Sequence, residues 1–322
     1  MFTSSFPSSP SVKIPCGYWP RSGSAQPFIK PSDIGKAWVT FPKNVEQQRK
    51  IAAILGIVDG AIEQKEALTA KYQRIKTGLM QDLLTRGIDE HGSLRDPATH
   101  KFKPSPLGPI PEEWDAKALR DISTQMTNGF VGVATPFYTE NPDGILYLYG
   151  TNIRRDEIIL TDVRKVTPEF HKAHKKSKLR FGDMLTVQSG HIGTCATVPD
   201  GFSEANCHAL IITRFKKGII NPSFVSAYCN SETGMARMAG IFIGSTIKHI
   251  NVADLLNFTI PVPEPKEQTT ICELMASASQ VIERKFLFLA KMKKLKTGLM
   301  QDLLTGKVPV EPLLETQNES LV

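Results

Sequence analysis

The sequence predicts an α+β protein in which a mixed domain is attached to two long helices that pack antiparallel as a coiled coil. The main observation is an internal repeat. The ten residues KTGLMQDLLT occur at 76–85 and again at 296–305, an offset of 220. At this offset 46–85 and 266–305 share 17 identities, so the chain contains the same long element twice. Between the copies, short strand-like runs alternate with Gly- and Pro-rich turns, which favours a mixed globular domain.

Both copies of the repeat carry apolar residues at alternating steps of three and four. This spacing is typical of a helix that packs along its length against another helix. The sequence therefore predicts spacer helices over 43–88 and 264–307 that share an apolar seam. The predicted seam residues are Ile51, Ile54, Val58, Leu68, Tyr72, Ile75 and Leu79 on the first helix, and Ile271, Leu274, Val281, Phe288, Met292, Leu295 and Leu299 on the second.

The segment before the first helix resembles the segment before the second. IKPSDIGKAWVTFP (29–42) aligns with INVADLLNFTIPVP (250–263) at an offset of 221. Each copy predicts a short helical turn, a strand and a proline that ends the strand before the long helix. The repeating unit is therefore a globular domain followed by a helix. We interpret 1–42 as the last portion of a first such domain, partly disordered.

The complete domain is predicted over 89–263, and 308–322 is predicted to be a mobile tail. The domain begins with a Pro- and Gly-rich linker, and its strand-like runs are rich in β-branched and aromatic residues. The predicted strands are 145–149, 183–189, 191–198 and 207–215, and the predicted helices are 222–240 and 251–257.

Composition excludes several classes of protein. The net charge of +7 makes an acidic partner plausible. The five cysteines are scattered and form no CxxC pair, which indicates reduced thiols and a cytoplasmic location. No apolar run approaches the roughly 20 residues of a membrane span, so no membrane association is predicted.

The candidate DNA-binding residues come from a basic segment and three polar turns. Residues 154–180 hold nine Lys or Arg against four Asp or Glu, and such clustering suits phosphate binding, although a solvated basic loop explains the charge equally well. Tyr147 and Tyr149 are candidates for packing on sugars or bases. The predicted DNA-binding residues are Asn152, Arg154, Arg155, Lys172, Lys175, Lys176, Lys178, Arg180, Gln188, Ser189, His191, Thr246, Lys248 and His249.

The sequence predicts no catalytic residue and no metal site. His171 and His174 have HxxH spacing, but the paired cysteines that usually complete a zinc site are absent. There is no P-loop, no GxSxG nucleophile motif and no Gly-rich cofactor loop.

A globular domain followed by a long helix, repeated, resembles the specificity (S) subunit of Type I DNA restriction–modification systems. The resemblance covers about 29–307. It lies in the helix ends IKTGLMQDLLTRG and LKTGLMQDLLTGK, the helix starts EQQRKIAAIL and EQTTICELM, and the domain start PLGPIPEEWDAKALRDI. It also includes FGDMLTVQSGHIG (181–193) and GSTIKHINVADLLNFTIPVP (244–263).

The resemblance implies a non-catalytic, sequence-specific DNA-binding subunit. In that family each globular unit is a target recognition domain, and the long helices are conserved spacers that dock two modification (methyltransferase) subunits. The implied partners are double-stranded DNA, those modification subunits and a restriction (translocase and nuclease) subunit. The partner subunits, and not this chain, are expected to use S-adenosylmethionine, ATP and Mg²⁺ for adenine methylation and DNA cleavage.

The chain departs from the full family pattern because its first recognition domain is represented only by 1–42. We therefore expect a second copy of itself as a partner, and such a dimer would read a palindromic split site. The alternative is a truncated or silent specificity cassette that acts only as a coiled-coil assembly scaffold.

Overall fold

The computed structural model describes residues 42–244 and 248–310 of the chain. The predicted domain remnant therefore lies outside the described residues except for Pro42, as does the predicted tail from 311 onward. The described residues form two compact units. One takes in residues up to Gln73 and from Val281 onward, and the other runs from Arg74 to Gln280.

The elements of the described residues are named in chain order. The helices are α1 (Val45–Thr85), α2 (Leu119–Ile122), α3 (Pro168–Ala173), α4 (Pro222–Asn230), α5 (Glu232–Ala239), α6 (Val252–Leu256) and α7 (Pro265–Leu304). The strands are β1 (Phe102–Lys103), β2 (Ile110–Pro111), β3 (Asp115–Ala118), β4 (Ser123–Asn128), β5 (Ile145–Leu148), β6 (Ile153–Arg154), β7 (Glu157–Ile158), β8 (Arg164–Val166), β9 (Met184–Val187), β10 (Cys195–Thr197), β11 (Ala205–Cys207), β12 (Leu210–Phe215) and β13 (Thr259–Val262).

The two long helices pack antiparallel, as predicted. In the first unit Lys293 Nζ of α7 lies 2.6 Å from Glu66 Oε1 of α1, and Lys296 pairs with Asp59. The contact moves back along α1 as it moves forward along α7, so the helices run in opposite directions. A buried cluster at the start of α1 joins Ile51 to Leu303 and agrees with this direction.

The predicted seam is wrong by about one residue over the middle of both helices. Leu68, Ile75, Leu274, Val281, Phe288 and Leu295 are exposed. The neighbouring Thr69, Met275, Ile282 and Leu289 are buried instead. The other predicted residues face inward: Ile51 and Ile271 are buried, and Ile54, Val58, Tyr72, Leu79, Met292 and Leu299 are half-buried. On α7 the displaced buried residues Met275, Ile282 and Leu289 still recur every seven positions, so the seven-residue pattern is kept and one of its two seam positions is shifted by one residue.

Each long helix ends at a glycine. Gly87 (φ +63°) follows α1, and Gly306 (φ +72°) follows α7. Only glycine adopts this left-handed conformation without strain, which makes it the common residue after a helix. At the other end, the Asn44 side chain accepts a hydrogen bond of 2.8 Å from the Glu46 amide and so begins α1.

The second unit is built around a four-stranded antiparallel sheet with the order β10-β9-β12-β4. Successive side chains of a strand point to opposite faces, and both faces of the central strands are buried. Met184 and Ile211 pack into the large core that also holds Leu83 and Leu84 of α1. Leu185 packs into a second cluster on the other face. Strand β4 is left at the edge of this sheet.

Two predicted elements are each divided in the structure. The predicted strand 207–215 is two strands, β11 and β12, because Ala209 between them has φ +47°. The predicted helix 222–240 is two helices, α4 and α5, which meet at Ser231. The Ser231 hydroxyl accepts a 3.0 Å hydrogen bond from the Gly234 amide and so begins α5. A Cβ at Gly234 would lie 1.9 Å from the Tyr228 carbonyl oxygen, so the tight junction requires glycine.

A second, three-stranded sheet carries the strands next to the basic segment. Its order is β11-β5-β8, with β11 parallel to β5 and β5 antiparallel to β8. Its aromatic side chains pack in a third core cluster that includes Tyr147 and Phe170. Strand β3, near the start of the domain, pairs antiparallel with its last strand, β13. None of the described helices is long and apolar enough to span a membrane.

Candidate nucleic-acid interface

The turn between β9 and β10 is the point at which the three predicted polar stretches meet. The Ile250 amide donates to the Gln188 carbonyl oxygen at 3.2 Å, which joins the turn to the segment after 244. His191 Nε2 lies 3.0 Å from the carbonyl oxygen of Ile153, which accepts its hydrogen bond. The stretches 151–154, 188–191 and 248–250 are therefore neighbours, although up to about a hundred residues separate them in sequence.

Most predicted residues of these three stretches are open to solvent. Gln188 is half-buried, and Arg154, Arg155, Ser189, His191, Lys248 and His249 are exposed. Thr246 lies outside the described residues. Asn152 is buried, because its side-chain oxygen accepts from the Tyr149 amide at 2.9 Å and its amide nitrogen donates to the Ile159 carbonyl at 3.1 Å. These bonds shape the loop and leave Asn152 no free group for a base.

The part of the basic segment that follows α3 forms a hydrogen-bonded turn. Thr167 caps α3 by accepting from the Phe170 amide, and a 3₁₀ turn follows over Lys175–Ser177. Asn206 of β11 is fully buried and holds this turn with both ends of its amide. Its nitrogen donates to Ser177 Oγ at 2.7 Å and to the His174 carbonyl at 3.2 Å, and its oxygen accepts from His171 Nδ1 at 2.6 Å.

Three of the predicted lysines project from this turn into solvent. Lys172, Lys175 and Lys176 are exposed. Because the backbone beneath them is hydrogen-bonded to a buried side chain, little backbone freedom remains to be lost when they bind a ligand. The backbone that carries these three lysines is therefore held by hydrogen bonds to a buried side chain.

A groove of about 440 Å³ lies between the basic turn and the end of β4. Asn128, at the end of β4, lines it together with Val131, His174, Lys175 and Lys176. Gln188 Nε2 donates to Asn128 Oδ1 at 3.0 Å. Asn128 therefore connects the two sets of predicted residues. Asn128 is not among the residues predicted from the sequence, although its position before a glycine indicates a turn.

Lys178 and Arg180 lie beside Arg214 of β12 and Asp183. The Lys178 carbonyl accepts from Arg214 Nη2 at 2.8 Å, and Arg214 Nε is 2.8 Å from Asp183 Oδ1. Burial raises the pKa of the Asp183 carboxyl, and the Arg214 charge opposes this shift. Arg180 lines a separate cavity of about 940 Å³ together with Lys217. Neither predicted residue lines the first groove.

The two tyrosines cannot serve as open stacking surfaces. Tyr147 is completely buried, and its hydroxyl lies 3.1 Å from His208 Nδ1. Burial raises the pKa of Tyr147 and lowers that of His208, so both stay neutral near pH 7. Tyr149 is half-buried and shares a hydrogen bond with Tyr138. The expectation that Tyr147 packs on a base is wrong, because β5 places it in the aromatic core.

The two histidines of the HxxH pair have structural contacts. His171 is bonded to Asn206, as described above. The His174 ring packs against Phe170 and Phe130, with ring centres 4.2 and 4.5 Å apart. Among the described residues no group of three or more His, Cys, Asp or Glu side chains is arranged to hold a metal ion.

Comparison with known families identifies the chain. The family model described as the Type I restriction modification DNA specificity domain matches residues 111–287, which is more than half of the chain. The chain belongs to this family. In Type I systems the specificity subunit is the non-catalytic component that recognises DNA.

Several curated proteins are similar to this member of the specificity-domain family. The MjaVIII specificity subunit of Methanocaldococcus jannaschii is 26% identical over 84% of the chain and 62% of the relative. The EcoBI specificity subunit of Escherichia coli is 25% identical over 63% of the chain and 43% of the relative. The chain thus spans about three-fifths or less of the length of these relatives.

Solved structures of specificity-family proteins share the fold. A structure described as showing complex assembly and conformational transition of the Type I R-M system aligns with a TM-score of 0.60 and 15% identity, over 88% of this chain and 65% of that one. The HsdS subunit of Thermoanaerobacter tengcongensis aligns with a TM-score of 0.52 and 15% identity, over 89% of this chain and 65% of that one.

Proposed function

We propose that the chain is the sequence-specific DNA-recognition subunit of a Type I restriction–modification complex. Residues 89–263 act as the target recognition domain. The helices over 43–88 and 264–307 act as spacers that hold the modification subunits. Through these partners, and a restriction subunit, the chain directs adenine methylation and DNA cleavage.

One observation carries the proposal beyond family membership. Residues from four separate stretches, chosen from sequence for their ability to bind phosphates or base edges, converge around Asn128 and Gln188. Lysines on one side of this surface suit phosphate oxygens, and amide side chains suit the donor and acceptor pattern of base edges.

Within this surface the roles divide by chemistry. Lys172, Lys175 and Lys176 would neutralise phosphates and set the position of the duplex. The exposed side chains Arg154 and Lys248 offer hydrogen-bond donors for phosphates or base-edge acceptors, and His191, whose Nε2 hydrogen is donated to Ile153, offers Nδ1 as an acceptor for a base-edge donor. One amide hydrogen of Gln188 is already donated to Asn128 Oδ1. Its role is to hold the Asn128 side chain at the edge of the groove.

A salt titration of duplex binding tests this proposal. We expect the full-length protein to bind duplex DNA with an affinity that falls steeply as salt rises, because bound lysines release counterions. Replacing Lys172, Lys175 and Lys176 with Gln should reduce the slope of log affinity against log salt by up to about 0.9 for each lost phosphate contact.

The matched control replaces Lys71, Lys291 and Lys294 with Gln. These lysines are also exposed but lie on the two long helices, so the net charge changes equally. If both triple variants lower the slope equally, only net charge matters and the proposed surface is refuted. If the wild type shows no salt-dependent binding, the scaffold alternative stands. Mapping methylated adenines in cells that carry this chain and its modification subunit then gives the recognised sequence.

A further inference from the structure

The loop after β4 exposes two valines beside the proposed DNA surface. Val131 is 69% exposed and Val133 is 74% exposed. Both exceed the exposure of most apolar residues in the second unit, and the sequence analysis assigned this loop no role. The loop sequence, Gly129-Phe130-Val131-Gly132-Val133, contains no charged residue.

The base of this loop is fixed, so the exposed valines are held in place. The Gly129 amide donates to the Leu210 carbonyl at 2.7 Å, and the Phe130 amide donates to the Cys207 carbonyl at 2.8 Å. A Cβ on Gly129 would lie 2.6 Å from that Cys207 oxygen, so the close approach depends on glycine. The Phe130 ring is anchored 5.0 Å from the ring of Phe170.

The opposite wall of the same groove is basic. Val131 lines the groove together with Lys175 and Lys176, whereas Val133 is not among its lining residues. Both walls are preorganised, because Asn206 fixes the lysines and backbone hydrogen bonds fix the loop. The groove therefore combines an apolar wall with a positively charged wall at a fixed spacing.

This combination indicates what the groove binds. A polyanion with an apolar edge meets both walls at once, and duplex DNA supplies phosphates next to base edges. The apolar group on those edges is the C5-methyl group of thymine, which distinguishes thymine from the other bases in the major groove. A membrane would require a larger apolar surface than one valine, and an acidic peptide would offer no repeated spacing between charge and methyl group.

We propose that the loop 129–133 reads the DNA sequence and that Val131 contacts the methyl group of a thymine in the recognised site. This inference rests on the proposed function. It assigns the loop a specificity-determining contact, while the lysines opposite position the backbone. Val133 is the natural comparison, because it has the same side chain in the same loop but lies outside the groove.

The test removes each partner of the contact in turn. Duplexes that contain the mapped site are prepared with each thymine replaced singly by deoxyuridine, which lacks the methyl group but pairs identically. The wild type should bind one of these duplexes about fourfold more weakly, the factor expected for exposing one methyl-sized group. Val131→Ala should bind the thymine duplex correspondingly more weakly and should no longer distinguish thymine from deoxyuridine at that position. Val133→Ala should retain the wild-type ratio.

Several outcomes overturn this inference. One is that the wild type binds every deoxyuridine duplex as tightly as the parent duplex. Another is that Val131→Ala keeps the fourfold ratio. A third is that Val131→Ala leaves DNA affinity unchanged but weakens association with the modification subunit, which would make the loop a protein contact. Absence of any salt-dependent binding by the wild type would overturn the proposed function as well, whereas binding without a thymine effect overturns only the reading role of Val131.

Discussion

Replacement of Arg95 with Met removes the cation from a buried carboxylate at the junction of the two long helices with the mixed domain. Glu267 Oε1 accepts from Arg95 Nη1 at 2.5 Å and from the Ile88 amide at 2.9 Å, and Oε2 accepts from Trp114 Nε1 at 3.0 Å. The Arg95 and Glu267 side chains are only 7% and 11% exposed. In the variant the Glu267 carboxylate therefore keeps its negative charge, accepts hydrogen bonds from two neutral donors only, and is poorly hydrated.

The expected loss follows from this geometry. Breaking a buried ion pair by removing one partner costs about 3–5 kcal/mol. Because two neutral donors to Glu267 remain, we expect a loss near the lower end of that range. For a domain of about 200 residues each kcal/mol corresponds to roughly 2–4 °C in melting temperature, so the variant should melt about 6–12 °C below the wild type.

The assay is equilibrium urea denaturation followed by tryptophan fluorescence, with a thermal melt as a second measurement. The double variant Arg95→Met with Glu267→Gln should recover part of the loss, because the neutral amide oxygen still accepts a hydrogen bond and carries no buried charge. The control is Lys117→Met, whose partner Asp115 is exposed and whose loss should stay below about 1 kcal/mol. An Arg95→Met loss as small as that of the control, or no recovery in the double variant, would refute the reasoning.

Three further predictions address the helix end, the basic turn and the β6–β7 hairpin. Gly87→Ala should destabilise the protein by about 1–3 kcal/mol in a thermal melt, because its Cβ would lie 2.2 Å from the buried carboxylate described above, whereas Gly92→Ala, at a similar positive φ with open space around it, should lose only about 1 kcal/mol. Asn206→Leu should flatten the salt dependence of DNA binding although no charge is changed, and Thr213→Val, another buried polar replacement, should leave the slope unaltered. Asp156 accepts from two side chains of α4, and although the residue as a whole is exposed, desolvation of its carboxyl raises its pKa. Because the pKa is raised in the folded state, protonation of the Asp156 carboxyl stabilises the folded state at low pH. This stabilisation is lost as the pH rises through the raised pKa. Asp156→Asn should therefore be more stable than the wild type at pH 7 in urea denaturation, with the advantage disappearing below about the unperturbed pKa of 3.8.

The sequence by itself determined the long elements and their relation. The repeat at an offset of 220 and the three-and-four spacing predicted two long helices, because helix formation depends on a local periodicity that every turn repeats. The sequence also determined the family, since the matching segments extend over most of the domain.

Periodicity alone could not fix which residues of those helices face inward. Leu68 and Thr69 lie on neighbouring parts of the same helix face, and both fit a seven-residue repeat, but Thr69 is buried and Leu68 is exposed; only the packed partner shows which of them lies in the seam. Similarly, no local signal distinguishes Tyr147, which is buried, from Tyr149 two residues later. Side chains two residues apart share one face of a strand, but β5 ends at Leu148, so Tyr149 lies in the turn beyond the strand and is only half-buried.

The tertiary structure alone decided which polar residues form one surface. Asn206 holds a turn 29 to 35 residues earlier in the chain, and Gln188 reaches Asn128 from 60 residues away. The Glu267 carboxylate meets Arg95 across 172 residues. Contacts of this range depend on sheet order, strand register and the direction of turns, which the sequence specifies only through the cooperative packing of the whole domain. The sequence therefore supplied the candidate groups for DNA recognition, and the fold determined which of them lie together and which, such as Asn152, are used to build the loop itself.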